Sequence, residues 1–208
     1  MSCSARRWIS AARTPAGLLA AADGHRRFAR WFVADEAELA GALWGAKLRA
    51  CEHCRRVGWL VGHGRVLGYA ERSSERVVRG RRLFCSDRGR RGGCGRTVAV
   101  RLASVIVRHV VRANTWFALF VALAHGARCA AAWRALSAMS LRTGYRLRDR
   151  LAHARHALRT TLLSRAPPPE AASASADAQL VAHLRAILGA DTGSFDRYQH
   201  TFQRSLLA

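Results

Sequence analysis

The sequence has few acidic residues and almost no lysine. Its 208 residues include 13 Asp and Glu against 35 Lys and Arg, and Lys47 is the only lysine. A GC-rich coding sequence accounts for arginine in place of lysine, but such a bias exchanges basic residues at constant charge. Codon bias therefore does not explain the formal net charge of +22. That excess predicts an anionic partner, such as DNA, RNA or an acidic membrane surface.

The sequence also lacks an uninterrupted apolar run. Its most apolar segment, 102–124, contains Arg108, His109 and Arg112, so it falls short of the ~20 apolar residues that a membrane-spanning helix requires. The segment 1–22 has a shorter apolar stretch than a normal secretory signal, and a transit peptide is the alternative. We therefore expect a soluble protein without a membrane partner.

Two of the six cysteines form a C-x2-C pair. Without a secretory signal, six cysteines indicate a reducing compartment, where paired cysteines are more often metal ligands than disulfides. Cys51 and Cys54 suit this use, because the turn between them lets two thiolates converge on one ion. A redox-active C-x2-C motif is the alternative.

A second cysteine pair follows after a predicted hairpin. Cys85 and Cys94 are separated by eight residues, so the loop between them has to bulge before the second thiolate returns. Glycines make such a bulge feasible, and they stand at positions 89, 92 and 93. The four ligands predicted for one structural Zn²⁺ ion are Cys51, Cys54, Cys85 and Cys94.

Other potential ligands and thiols remain. His53 and His63 are possible substitutes for a cysteine ligand, although an unpaired histidine in a basic segment is more often a surface residue. Cys3 and Cys129 are left over, and Cys129 is expected to be a small buried side chain.

Arginine is concentrated around the predicted metal site. Residues 55–101 contain thirteen arginines against three acidic residues, a density that repels itself without counter-ions. Planar guanidinium groups bind phosphate oxygens in pairs. The alternative for some of these arginines is that they only form a solvated, charged protein surface and bind no phosphate. The nucleic-acid-binding residues predicted here are Arg79, Arg81, Arg82, Arg88, Arg90, Arg91 and Arg96.

Hydrophobic spacing and glycine positions divide the chain into a strand-rich and a helical part. The predicted strands are 57–61, 65–69, 76–84 and 97–100. The predicted helices are 35–44, 102–112, 115–124, 128–138, 141–164, 177–188 and 195–207. The fold class expected is a small β zinc ribbon followed by a mainly α, helix-turn-helix-like region.

The same patterns predict five segments. They are a flexible basic leader over 1–33, a zinc-ribbon domain with a leading helix over 34–100, a helical, helix-turn-helix-like domain over 101–165, a linker over 166–176 and C-terminal helices over 177–208. The linker prediction rests on a triple proline followed by a run rich in alanine and serine. The C-terminal helices offer an apolar side through which the chain could form a homodimer.

Two helices with a short turn allow a helix-turn-helix. In this arrangement 128–138 is the first helix, Met139 and Ser140 form the turn, and the second helix begins at Leu141 with Ser140 as its N-cap. The residues that would then point into a groove are Arg142, Thr143, Arg146 and Arg150. The alternative is a structural helix or dimer contact, because apolar residues between 147 and 162 also suit a coiled-coil seam.

The order of these parts resembles the zinc-ribbon and helix-turn-helix front end of bacterial insertion-element transposases. The resemblance covers 51–164, and it rests on the C-x2-C pair, the His63-Gly64 turn, Arg-Arg-Leu-Phe-Cys at 81–85 and Gly-Cys-Gly-Arg-Thr at 93–97. It implies that the four cysteines bind zinc and that this part binds DNA. The long spacing from Cys85 to Cys94 departs from the C-x2-C that is common in that family.

The catalytic part of such transposases has no counterpart here. Those enzymes cut DNA with acidic residues that hold two metal ions on an α/β domain. The acidic residues after Thr97 are Asp149, Glu170, Asp177, Asp191 and Asp196, and no alternating strand pattern accompanies them. We therefore expect a DNA-binding protein and not an enzyme.

Three functional alternatives remain open at this point. The partner could be RNA in place of DNA, or the ribbon could serve as a protein–protein interaction module. A metal-dependent nuclease using Asp149 or Asp191 is the third alternative. The expected location is cytoplasmic and nucleoid-associated.

Overall fold

A computed structural model describes residues 30–90, 92–170, 175–190 and 194–206. The strands are β1 Arg30–Val33, β2 Leu60–Tyr69, β3 Arg76–Cys85 and β4 Thr97–Leu102. The helices are α1 Glu36–Trp44, α2 Ala113–Ala124, α3 Cys129–Leu136, α4 Leu141–Leu163, α5 Ala176–Leu188 and α6 Ser194–Phe202, with short 3₁₀ turns at Gly45–Leu48 and Arg88–Arg90. The predicted order of a sheet followed by a helical region is confirmed at this level.

The four strands form one mixed sheet in the order β1-β4-β3-β2. The pairs β2–β3 and β3–β4 are antiparallel, whereas β1 runs parallel to β4 with Arg30 opposite Ala99 and Val33 opposite Leu102. The predicted strands 57–61 and 65–69 are joined in β2, where the register to β3 shifts between Gly62 and Gly64.

The strand β1 lies inside the segment predicted to be a flexible leader. Phe32 and Val33 are buried, and the side-chain amide of Gln203 caps the outer edge of the strand. The Phe32 N–H donates to Gln203 Oε1 at 2.8 Å, and Gln203 Nε2 donates to the Phe32 carbonyl at 2.8 Å. The leader prediction is therefore wrong for residues 30–33, because an apolar run that pairs with β4 satisfies its backbone there. Residues 1–29 lie outside the described residues.

Helix α1 begins as its sequence predicts. The Asp35 carboxylate accepts from the Glu38 N–H at 2.8 Å, and the Glu38 carboxylate accepts from the Ala34 N–H at 2.6 Å. These two bonds satisfy one backbone donor of the first turn and the donor of the residue just before the N-cap. The inner face of the helix, with Leu39 and Ala42 buried, packs against the core that the sheet residues Leu60, Leu83, Val98 and Val100 share.

The helices build a larger apolar core around aromatic side chains. Trp116, Phe117 and Phe120 of α2 surround Phe195 of α6, with ring centroids 5.1–6.0 Å apart, and Trp133 of α3 joins the same cluster. The leucines that suited a coiled-coil seam, Leu147, Leu151, Leu158 and Leu162, are buried in this core. In the described part of the chain, no helix combines the length and apolarity needed to cross a membrane.

The C-terminal helices belong to this core and do not form a separate segment. Leu180, Val181 and Leu184 of α5 and Tyr198 of α6 are buried in the same cluster as α2 and α4. The apolar sides of both helices are therefore used within the chain. Residues 171–174 of the predicted linker lie outside the described residues.

The helix predicted over 102–112 is wrong. Leu102 completes β4, and the chain then turns so that Val105 forms an isolated antiparallel bridge with Arg112. The buried side-chain amide of Gln199 donates to the carbonyls of Ala103 at 2.6 Å and Val105 at 3.1 Å. These long-range bonds satisfy acceptors that a helix would otherwise satisfy, so a non-helical path is stable here.

Gly144 of α4 is predicted to be irreplaceable although it lies within a helix. A Cβ at this position would lie 2.6 Å from Trp133 Cγ, and the buried indole is held by bonds from its Nε1–H to the Met139 and Ser140 carbonyls. We expect Gly144→Ala to lower the free energy of unfolding by about 1–3 kcal/mol, because overpacking outweighs the gain in helix propensity. Urea denaturation measures the change.

Gly41→Ala is the matched control. Gly41 also lies within a helix, but nothing lies within 4 Å of the Cβ position. This substitution should raise the stability by up to about 1 kcal/mol. A Gly144→Ala protein as stable as Gly41→Ala would contradict the packing of α3 against α4.

Candidate metal centre

The four predicted cysteine ligands come from two places in the fold. Cys51 and Cys54 lie in the turn that follows α1 and the 3₁₀ turn Gly45–Leu48. Cys85 is the last residue of β3, and Cys94 lies in the loop that leads to β4. Their sulfur atoms all lie within 4.8 Å of one another, with Cys51 and Cys85 buried and the other two half-buried. This cluster could hold a metal ion.

Two of the sulfur–sulfur distances equal those of a tetrahedral zinc site. Cys51 Sγ lies 3.8 Å from Cys94 Sγ, and Cys54 Sγ lies 3.7 Å from Cys85 Sγ. Four sulfurs at about 2.3 Å from a central zinc ion stand about 3.8 Å apart, whereas a disulfide requires about 2.05 Å. All four cysteines are free thiols. The donor set is thus compatible with zinc, and both short distances connect one segment to the other.

The thiols of the cluster differ in acidity. Bonding to the Arg56 backbone lowers the pKa of Cys54 to about 7, whereas burial raises the pKa of Cys85 and of Cys94. Four neighbouring thiolates repel one another, so at neutral pH Cys85 and Cys94 keep their protons when no cation is bound. A divalent cation would replace these protons and offset the repulsion.

The eight-residue loop between Cys85 and Cys94 closes through backbone bonds. The Gly93 N–H donates to the Ser86 carbonyl at 3.1 Å, and the Gly95 N–H donates to the Cys85 carbonyl at 2.9 Å. A Cβ on Gly93 would overlap the Ser86 carbonyl, so this position requires glycine. The predicted bulge is therefore present, and Gly93 is the glycine that brings its two ends together.

The histidines considered as substitute ligands are not part of the sulfur cluster. Among the described residues the candidate group contains only the four cysteines. The His63 ring packs against Phe84, with ring centroids 5.3 Å apart. Cys129 is buried at the start of α3, as expected.

The arginines around the cluster divide into exposed and buried side chains. Arg82, Arg88 and Arg96 are exposed, and Arg81 is half-buried. The Arg88 guanidinium lies over the Phe84 ring at 5.8 Å. Arg91 and the side chain of Arg90 lie outside the described residues.

Arg79 is not available for an external anion, so its assignment to nucleic-acid binding is wrong. The side chain is buried, and its guanidinium donates to the carbonyls of His109 and, at 2.7 Å, of Val110. Burial lowers its pKa. Alternation along β3 turns this arginine toward the 105–112 segment, where carbonyls without helical partners accept its hydrogen bonds.

The predicted groove residues of α4 lie on the surface. Arg142, Arg146 and Arg150 are exposed, and the half-buried Thr143 hydroxyl lies 3.2 Å from Ser140 Oγ. Arg150 also contacts His109 Nε2. Burial and the charge of Arg150 lower the pKa of His109, so this ring is neutral at pH 7 and accepts the bond. Arg150 therefore anchors α4 to the 105–112 segment.

One residue near the cluster was misplaced by the sequence pattern. Trp44 is an apolar residue of the predicted helix 35–44, but its side chain is 90% exposed. Leu48, four residues later, is 83% exposed. The sequence signals for this exposure are the position of Trp44 immediately before the glycine that caps the helix and its spacing from the buried Leu39 and Ala42, which places it on the opposite side.

The acidic residues considered for a nuclease do not converge in the described structure. Asp149 pairs with the adjacent Arg148 at 2.8 Å, and Asp177 pairs with Arg155 at 2.6 Å. Asp191 lies outside the described residues. Within the part of the chain described, the four cysteines form the only group of three or more potential metal ligands.

Substitution of Arg79 should lower the stability of the protein, whereas the same substitution at Arg82 should not. Arg79→Met leaves the His109 and Val110 carbonyls without their donor, and we expect the free energy of unfolding to fall by about 1–3 kcal/mol. Arg82→Met removes the same charge from an exposed position and should change stability by less than about 0.5 kcal/mol. Urea denaturation compares the two, and equal midpoints would contradict the placement of Arg79.

The chain matches no protein-family model, no curated protein and no solved structure. The likeness to transposase front ends therefore rests on the motifs within residues 51–164. Two structural features bear on function: the cluster of four cysteine sulfurs and the arginines exposed around it.

Proposed function

We propose that this chain is a zinc-dependent nucleic-acid-binding protein, with DNA as its partner. The observation that carries the proposal is the cluster of four cysteine thiols at tetrahedral spacing within an arginine-rich sheet. RNA shares the phosphate chemistry and is the alternative partner. The role is binding and not catalysis.

In this proposal the zinc ion cross-links two segments of the chain. Bound to Cys51, Cys54, Cys85 and Cys94, the ion ties the turn after α1 to the loop between β3 and β4. The core beneath the sheet is small: among the described residues its cluster has ten buried members, and two of these are the proposed ligands Cys51 and Cys85. Metal binding would therefore contribute a large share of the folding free energy of this part. The sheet with this centre is the zinc ribbon of the proposal.

The exposed arginines supply the affinity. Arg82, Arg88 and Arg96 lie near the ends of β3 and β4, close in sequence to two of the cysteines. Guanidinium groups release counter-ions when they bind phosphate, so they contribute affinity without sequence preference. The net charge of +22 supports this use.

Helices α3 and α4 supply the second contact in this proposal. The turn between them is closed by bonds from Trp133 Nε1 to the Met139 and Ser140 carbonyls, which fixes the direction of α4. The N-terminal half of α4 presents exposed Arg142 and Arg146, as the second helix of a helix-turn-helix does. The chain would then correspond to the DNA-binding front end of transposases and not to their catalytic domain.

A homodimer would have to use surfaces other than the apolar sides of α5 and α6. Those sides are buried within the chain. The nucleoid remains the proposed location, because it follows from DNA binding.

The purified protein is expected to contain one zinc ion per chain. Cys54→Ser should lose zinc, and at about a thousandfold excess of zinc over its dissociation constant the metal should add about 4 kcal/mol of stability that the variant lacks. Metal analysis by mass spectrometry and urea denaturation measure both effects.

Cys129→Ser is the control for this experiment. Cys129 is a free, buried thiol outside the sulfur cluster, so its replacement should leave the zinc content unchanged. Full zinc content in Cys54→Ser, or none in the parent protein, would contradict the metal centre.

Affinity for duplex DNA is expected to fall steeply with salt. If six or more phosphates are contacted, the affinity should fall by about 1,000-fold between about 50 mM and 200 mM salt. Arg82→Met and Arg142→Met should each lower the slope of log affinity against log salt by about 0.9. Fluorescence anisotropy with labelled DNA measures these slopes.

Arg155→Met is the charge-matched control, because Asp177 already engages the Arg155 guanidinium. Its slope should equal that of the parent protein. Salt-independent affinity would contradict phosphate binding, and a zinc-loaded protein that binds no nucleic acid would favour the protein–protein interaction module.

A further inference from the structure

Three large apolar side chains are exposed beside the cysteine cluster. Trp44 is 90% exposed, Leu48 is 83% exposed and Val57 is 54% exposed. Trp44 ends α1 and Leu48 ends the following 3₁₀ turn, three residues before Cys51. The Gly58 N–H donates to the Lys47 carbonyl at 2.9 Å, which holds Val57 near the same turn. We refer to these three residues as the Trp44 surface.

The direction of Trp44 follows from the geometry of α1. A helix rotates about 100° per residue, so Trp44 lies about 140° from Leu39 and about 160° from Ala42 around the axis. Those two residues are the buried ones of the helix. The indole therefore points away from the core and is free to accept a ligand on its faces.

The surroundings of Trp44 are cationic. Lys47, Arg49 and Arg55 are exposed within the segment that links α1 to the C-x2-C turn. The acids closest in sequence are engaged by other groups: Glu38 accepts from the Ala34 N–H and pairs with His200, and Glu52 accepts a hydrogen bond from Trp31 Nε1–H. The acids of α1, Glu36 and Glu38, stand in its first turn, about 9–12 Å along the helix from Trp44.

An exposed indole with cations and without nearby free carboxylates suits a ligand that is both aromatic and anionic. Nucleotides combine these properties, because an unpaired base offers a π-face and its phosphates offer negative charge. In duplex DNA the base faces are stacked on each other, so only an unpaired or flipped base can lie against Trp44.

We infer that Trp44 is a stacking residue for an unpaired base, and that the metal-centre end of the molecule binds single-stranded nucleic acid. Lys47 and Arg55 bind the phosphates on either side of that base. This inference rests on the proposed function and narrows it, because it assigns single strands to this end and leaves duplex binding to the arginines of the sheet and α4.

The test compares two probes on the full zinc-loaded protein. One is a fluorescein-labelled oligothymidylate of roughly 15 nucleotides, and the other is a duplex of the same length. Trp44→Ala should weaken binding of the single strand by about 5- to 100-fold, the range for one stacked base, and should change duplex binding by less than about 2-fold. Anisotropy titrations measure both affinities.

Further substitutions identify stacking as the cause. Trp44→Phe keeps an aromatic face and should retain most of the single-strand affinity. Leu48→Ala removes an equally exposed but aliphatic side chain, and it should have little effect. The slope of log affinity against log salt should be the same for Trp44→Ala and the parent protein, because no phosphate contact is lost.

Several outcomes would overturn the inference. They are unchanged single-strand affinity in Trp44→Ala, an equal loss in Trp44→Phe, or a parent protein that is dimeric by gel filtration and becomes monomeric on Trp44→Ala without loss of binding. Duplex binding that remains zinc- and salt-dependent in these cases leaves the proposed function intact. A parent protein that binds neither probe overturns both.

Discussion

The four cysteine sulfurs are contributed by two chain segments, and the Arg56 guanidinium also connects these segments by donating to the Gly92 carbonyl. One segment is the turn after α1, and the other is the end of β3 with its long return to β4. Sulfur distances of 3.7 and 3.8 Å connect one segment to the other, so a bound ion would close the sheet end of the molecule onto α1. The core beneath this region is small, and a cross-link of this kind offsets the limited apolar burial.

The large positive charge is used in two physically different ways. Arg79 is withdrawn from the surface to bond carbonyls of the 105–112 segment, and Arg155 pairs with Asp177 at the start of α5. Both connect elements that are distant along the chain. Arg82, Arg96 and Arg142 instead face solvent, where their mutual repulsion is relieved only by counter-ions or a polyanion. A high density of arginine thus contributes to the fold as well as to the surface potential.

Local signals predicted much of this structure. Helix α1 follows from Asp35 and the acids of its first turn, and α4 follows from its apolar spacing. Predictions were wrong where long-range bonds decided the backbone: Gln203 completes the edge of β1, and Gln199 bonds the carbonyls of 103 and 105. A glutamine amide 90 or more residues away leaves no pattern in the segment it bonds. The burial of Arg79 could not be predicted either, because β3 also carries Arg76, Arg81 and Arg82 and no local signal distinguishes Arg79 from them.

By itself the sequence determined which four cysteines are candidates for one metal site, the strand-then-helix order and the excess of positive charge, because these follow from residue identity and from local spacing. Only the tertiary structure decided which arginines face solvent, that α5 and α6 bury their apolar sides against α2 and α4, and that Trp44 faces outward. These properties depend on which surfaces cover one another. Contacts between residues far apart in the chain determine which surfaces are covered. The local sequence around such a residue does not indicate the residue that it contacts.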